Sequence, residues 1–389
     1  MREAVVPFEV DIPPDALDDL RSRLHRTRFA GDFGNDDWSF GVPTAYLREL
    51  VGYWATQFDW RAQQASMNRF AHYRTEIGGV PVHFVHERGR GPAPMPLVLT
   101  HGWPWTFWDY QHLIGPLSDP AAFGGDPRDA FDVVVPSLPG TAFSSPLATT
   151  GIGVLATADL WLALMRDRLG YDRFAAAGGD SGAFVTARLG HTYGAHVIGI
   201  HLSFPATVTM AALGTVRPDD YSAEEQQWLA EPGPQARGTG AHMAVHVEGP
   251  QTLAAGLNDS PAGLAAWIVE RRRNWSDCDG DVERRFSKDE LLTCVSLYWL
   301  TGTFHTSVRF YAESFRAAWP LAHGRTPPIE VPTAVAVFPR ELLRVPRRFM
   351  ERQANVARWT VMPRGGHFAP AEEPDLMVDD IRAFFRDLR

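Results

Sequence analysis

The 389-residue chain holds two cysteines, Cys278 and Cys294, and a single lysine, Lys288. Two cysteines exclude a disulfide framework and give no metal–thiolate spacing. They fit a reducing compartment, so a cytoplasmic location is expected. All other basic residues are arginine, a compositional bias with no bearing on mechanism. The formal net charge of -9 argues against a nucleic acid or an anionic membrane as partner. No long apolar run is present. The most membrane-like stretch, VIGIHLSFPATVTMAALGTV (197–216), is broken by Pro205 and diluted by His201, falling short of a membrane span. The first residues, MREAVVPFEVDIPPDALDDL, carry early acids and no apolar core, so no signal peptide is expected. Internal repeats and low-complexity segments are missing too.

What remains is an ordinary globular composition, 45% hydrophobic and 21% charged. Its length allows one large domain with insertions. PLVLTHG, FDVVVPSLPG and FAAAGGD are short apolar runs ending in glycine or polar residues. Helical stretches such as ATADLWLALMRDRLG separate them, which predicts a doubly wound, mostly parallel α/β sheet. The rhythm stops near 205, where helices and loops take over, and resumes with PTAVAVFP and ARWTVMP. Four segments are expected: an N-terminal extension wrapping the core (1–90), core (91–204), an inserted helical cap (205–325) and core again (326–389).

AAGGDSGA (176–183) lies between a strand and a helix. A sharp strand-to-helix turn needs small residues two before and two after its apex. Gly178 and Gly182 meet this for Asp180, while Gly179 and Ala183 meet it for Ser181. Local spacing therefore leaves two nucleophiles open. A chymotrypsin-like GDSG reading fails because that loop belongs to an all-β barrel. His367, in RGGHFAP after the strand WTVMP, fits the base of an α/β hydrolase in place and in order. Glu341, in PTAVAVFPRELL, follows the preceding strand and is the candidate acid to orient it. Glu372, Glu373 and Asp375 come after the histidine and read as the start of the last helix.

LTHGWPWTFWDYQHLIGPL, GGDSGAF, GLNDSPAGLAAWI, LYWLTGTFHTSVRFYAES and MPRGGHFAPAEEPDLMVDDI together resemble the microsomal-type epoxide hydrolases, and the likeness extends over nearly the whole chain. It is similar to the soluble bacterial branch, some of whose members serve secondary-metabolite pathways. The resemblance implies an α/β-hydrolase fold with a cap, no cofactor, and Asp180 as nucleophile. Chemistry agrees: a carboxylate is ionised at neutral pH and can open a strained ring without prior deprotonation. The resemblance further implies the backbone N–H groups of Trp103 and Ser181 as oxyanion donors and Tyr311 as the cap acid. A second family tyrosine, before LNDSP, has no counterpart; His242 falls near that position. Trp105 stands where the family has glycine, and with Trp108 it is expected to narrow the substrate pocket or reshape its mouth, the other reading being that these aromatics are core.

The remaining histidines give no metal site. His83 and His86 point to opposite faces of a strand, and His191 and His196 are separated by an expected helix end at Gly194 with no third ligand nearby. The expected partners are an epoxide and water, and the chain acts as a monomer or homodimer. Three other readings compete: a haloalkane dehalogenase sharing the aspartate, a Ser181 esterase, and a non-catalytic binding protein on a hydrolase fold.

Overall fold

The computed structural model describes residues 4–230 and 240–389. Part of the expected cap, 231–239, lies outside the described residues. Nine strands form one sheet: β1 (Val6–Phe8), β2 (His72–Ile77), β3 (Val80–Glu87), β4 (Met95–Thr100), β5 (Phe131–Pro136), β6 (Phe174–Gly178), β7 (Val197–Leu202), β8 (Ile329–Val337) and β9 (Ala354–Val361). Their order is β1-β2-β3-β5-β4-β6-β7-β8-β9. Pairing is antiparallel from β1 to β5 and parallel from β5 through β9.

The central strands read as continuous apolar runs because both faces are covered. Every residue of β6 is buried. The helices Gln111–Ser118 and Pro374–Arg386 pack on one face, while Val154–Leu162, Asp180–Thr192 and Arg347–Gln353 pack on the other. Between β7 and β8 the described chain is helical, with Ala241–Glu248, Pro250–Leu257, Pro261–Trp275, Lys288–Leu300 and Phe304–Phe315 as its longer elements. Sequence starts these helices. Ser260 accepts the Gly263 N–H at 3.0 Å ahead of Pro261, and Ser287 forms a capping box with Glu290.

The N-terminal segment does more than wrap. Its strands β1, β2 and β3 extend the sheet itself. Two of its helices, Pro14–His25 and Thr44–Thr56, bury Leu17, Leu20, Leu24, Leu50, Val51 and Trp54. They lean on Pro261–Trp275 of the inserted block. Loops leaving the C-terminal ends of β4, β6, β8 and β9 converge at one edge, where an open α/β sheet places its site.

Candidate active site

Asp180 follows β6 directly and opens the next helix with φ at 49°, a left-handed conformation that a non-glycine residue seldom adopts. Holding it there costs about 1–3 kcal/mol, so the surroundings must enforce it. They do so by close approach. A Cβ on Gly178 would meet the carbonyl of Gly182, and one on Gly182 would meet the carbonyls of Thr100 and His101. Both obstacles are backbone and cannot rotate away. At Ser181's flanking positions Ala183 already carries a Cβ, and a Cβ on Gly179 would first meet the side chains of Ser203 and Trp105. The apex of the turn is Asp180.

Its Oδ1 accepts the Trp103 N–H at 2.9 Å, and the Ser181 N–H also bonds the carboxylate. The side chain is 15% exposed, toward a cavity. Its other oxygen, Oδ2, lies 3.2 Å from Nε2 of the fully buried His367. That contact is close enough for an ion pair but misses hydrogen-bond alignment, leaving Nε2 without an aligned partner. On the far side of the ring Nδ1 meets Glu341 Oε1 at 2.6 Å. Glu372 instead accepts the Phe368 and Asp277 N–H groups at 2.8 and 2.7 Å.

Burial by itself would lower the His367 pKa and raise that of Asp180. The two carboxylates overcome burial at the imidazole, Glu341 most strongly, and lift it to about 10. At Asp180 burial is likewise outweighed, first by His367 and then by the two backbone donors, and the carboxyl titrates below its ordinary range. The resting pair is carboxylate and imidazolium.

Over Asp180 opens a cavity of about 500 Å³. Phe184, Phe204, Met243, Trp275, Phe310 and Trp319 supply much of its wall, and among the described residues Asp180 is its only formally charged lining residue. Tyr311 and His242 line it together, their rings perpendicular with centroids 5.7 Å apart. Burial, reinforced by Asp180, pushes the Tyr311 phenol well above its ordinary pKa, so it stays protonated. Trp105 and Trp108 are corrected here: neither lines the cavity. The chain turns inward after Trp103. Trp105 is fully buried with its ring 5.6 Å from His367 and 5.8 Å from Phe368, and Trp108 packs against Phe70 and Phe107.

Sequence reading missed Trp275. It lines the cavity, its carbonyl accepts the His367 N–H at 2.9 Å, and its ring stands perpendicular to the imidazole at 5.3 Å. The local run RRRNW carries no signal for this, since the contact spans distant parts of the chain. Among the described residues no group of three or more His, Cys, Asp or Glu could hold a metal ion. No described helix is long and apolar enough to cross a membrane.

Sheet, elbow and buried histidine define an α/β hydrolase that carries a carboxylate at the elbow. Comparison agrees: the family model described as epoxide hydrolase N terminus matches residues 5–110, and that of the alpha/beta hydrolase fold matches 95–248. A candidate epoxide hydrolase from Stigmatella aurantiaca is 42% identical over 386 residues, covering 99% of this chain and 86% of that one. Epoxide hydrolase 1 of Oryctolagus cuniculus is 33% identical over 409 residues, covering 98% and 89%. The Aspergillus niger epoxide hydrolase structure has a TM-score of 0.85 at 29% identity, covering 100% of this chain and 97% of its own. The chain belongs to the epoxide hydrolase family, and its activity is hydrolysis of an epoxide by water.

Proposed function

We propose that this enzyme opens its substrate through a covalent ester on Asp180. The observation that carries this reading is the elbow carboxylate, which accepts the Trp103 and Ser181 N–H groups, the former at Oδ1, and turns Oδ2 toward His367. Asp180 Oδ2 attacks an epoxide carbon and the ring C–O bond breaks. Tyr311, with His242 beside it in the cavity wall, gives the departing alkoxide its proton. Forming the ester removes the charge of Asp180, one of the two carboxylates that hold His367 protonated. The imidazolium then passes its proton back toward the tyrosinate and becomes the base the second step needs.

Neutral His367, oriented by Glu341, takes a proton from water, and the hydroxide adds to the ester carbon. Charge develops on Oδ1, where the Trp103 N–H already points, with the Ser181 N–H also bonded to the carboxylate. Collapse breaks the ester C–O bond, and passage of the proton on the newly formed Asp180 carboxyl to the departing alkoxide frees the vicinal diol. It leaves one water-derived oxygen in Asp180. The described residues of 205–325 act as the cap that closes the apolar cavity over the reacting atoms. The size and aromatic wall of that cavity suit a bulky, uncharged epoxide of secondary-metabolite type. Two buried free thiols fit action in the cytoplasm.

A single turnover of styrene oxide in oxygen-18 water tests the ester. The label is expected in the peptide carrying Asp180 and not in the first diol released, and His367→Gln should accumulate the alkylated peptide. Label in the first diol, an adduct on Ser181, or bromide release from an alkyl bromide without epoxide turnover would overturn the reading.

A further inference from the structure

The Trp103 N–H is a main-chain donor on a turn that no strand supports. β4 ends at Thr100 and the next helical turn, Phe107–Tyr110, has not begun. Between them the carbonyls need partners from elsewhere. Those of residues 104 and 105 find them on two helices of the inserted block. Arg272 Nη2 donates to Pro104 O at 3.2 Å, and Cys294 Sγ lies at the same distance. Tyr298 O–H donates to Trp105 O at 2.6 Å.

Arg272 has a second grip on the same turn. Its Nη1 donates to Asp109 Oδ1 at 2.6 Å, while Asp109 Oδ2 accepts the Thr106 N–H at 2.7 Å. Both charged side chains are buried, 4% and 6% exposed. The guanidinium also lies 4.2 Å over the ring of Phe368, the neighbour of His367. Of three consecutive arginines only this one is used so. Arg271 faces Trp267 and Glu270, and Arg273 reaches Gly280 O. A buried ion pair contributes little net stability compared with apolar residues of equal volume. What the planar fork supplies is geometry, holding a carboxylate and a carbonyl at a fixed separation.

We propose that Arg272 is a positioning residue for the oxyanion donor: through Asp109 and Pro104 it aims the Trp103 N–H at Asp180 Oδ1. This rests on the ester reading above, and it gives Arg272 a step-specific effect. During ring opening the negative charge on Oδ1 falls; during ester hydrolysis it rises to a full oxyanion. A misaimed donor therefore slows the second step more than the first.

The test is rapid-quench mass spectrometry of styrene oxide turnover, following formation and decay of the alkyl-enzyme. Arg272→Met is made alone and with Asp109→Asn, so that no buried charge is stranded in the double variant. Decay should slow by roughly tenfold to a hundredfold, the scale of a misplacement near 1 Å, while formation changes far less. Arg272→Lys should recover part of the decay rate. Thermal melts identify the variants that fold. Equal slowing of both steps in folded protein, or unchanged decay, overturns the inference. If His367→Gln traps no ester at all, the ester reading fails instead, and the two failures are distinct.

Discussion

His367 Nε2 sits 3.2 Å from Asp180 Oδ2, off the line of a hydrogen bond, while its Nδ1 is locked to Glu341 at 2.6 Å. The imidazolium is thus charged by two carboxylates and is bonded in line to only one. Chemistry on Asp180 changes the first without moving the second.

Asp180→Asn imitates the charge of the ester, so it isolates that coupling. Without the aspartate, burial regains ground, and the His367 pKa should fall from about 10 toward its ordinary value near 6.5. The sign for stability follows. A histidine raised in the fold stabilises fully below its unfolded pKa and loses that contribution as pH climbs through about 10. The variant should lose this alkaline dependence. Nitrogen-15 NMR titration of the ring checks it; a midpoint still near 10 would show that Glu341 alone holds the proton.

Tyr311→Phe should slow alkyl-enzyme formation by about 10²–10⁴-fold, the usual worth of a placed proton donor. Decay of ester already formed should change little. His242→Leu should cost less if histidine only assists. Because the phenol is pushed well above its ordinary pKa, the alkylation rate should stay flat to mildly alkaline pH in stopped-flow measurements. An alkaline fall matching the titration of a phenol near 10 would remove Tyr311 from the role.

How much of this was legible in sequence depends on whether the cause was local. The runs PLVLT, FDVVV and FAAAG announced buried strands because both faces of the sheet are covered. The strands β1 and β2 escaped notice. VPF is three residues long, and HYRTEI, paired antiparallel beside it, mixes buried positions with exposed ones. The order Asp180, Glu341, His367 could be read because each residue follows the end of its own strand. Trp105 and Trp108 were misplaced because aromatic composition does not say which way a turn folds. Arg272 was invisible, since its meaning lies in Asp109, 163 residues away.

Gly182→Ala tests the register of the elbow. The added methyl would strike the carbonyls of Thr100 and His101, so β4 or the elbow must move. A stability loss of about 1–3 kcal/mol is expected, the usual cost of overpacking, with activity falling far more as Asp180 is displaced. Ala183→Gly should be mild in both respects, although it occupies the flanking position for Ser181. Denaturant melts and turnover on the two variants check this; a harmless Gly182→Ala would mean that the elbow is not tightly packed.

Glu372 couples the base loop to the inserted block. Its two oxygens accept the N–H of Phe368, beside His367, and of Asp277, just past the helix that carries Arg272 and Trp275. Burial raises its pKa to about 7, although both backbone donors and Arg285 pull the other way. A carboxyl raised in the fold contributes stability below its unfolded pKa, near 4.5, and that contribution is lost as pH rises through about 7. At 1.36 kcal/mol per pH unit the window from 4.5 to 7 amounts to about 3 kcal/mol. Glu372→Gln cannot ionise, so the stability difference between wild type and variant should drift in the variant's favour across that window. Paired denaturant melts from pH 4.5 to 8 measure the drift. A difference independent of pH would mean that Glu372 is ionised throughout and that its two N–H bonds outweigh burial.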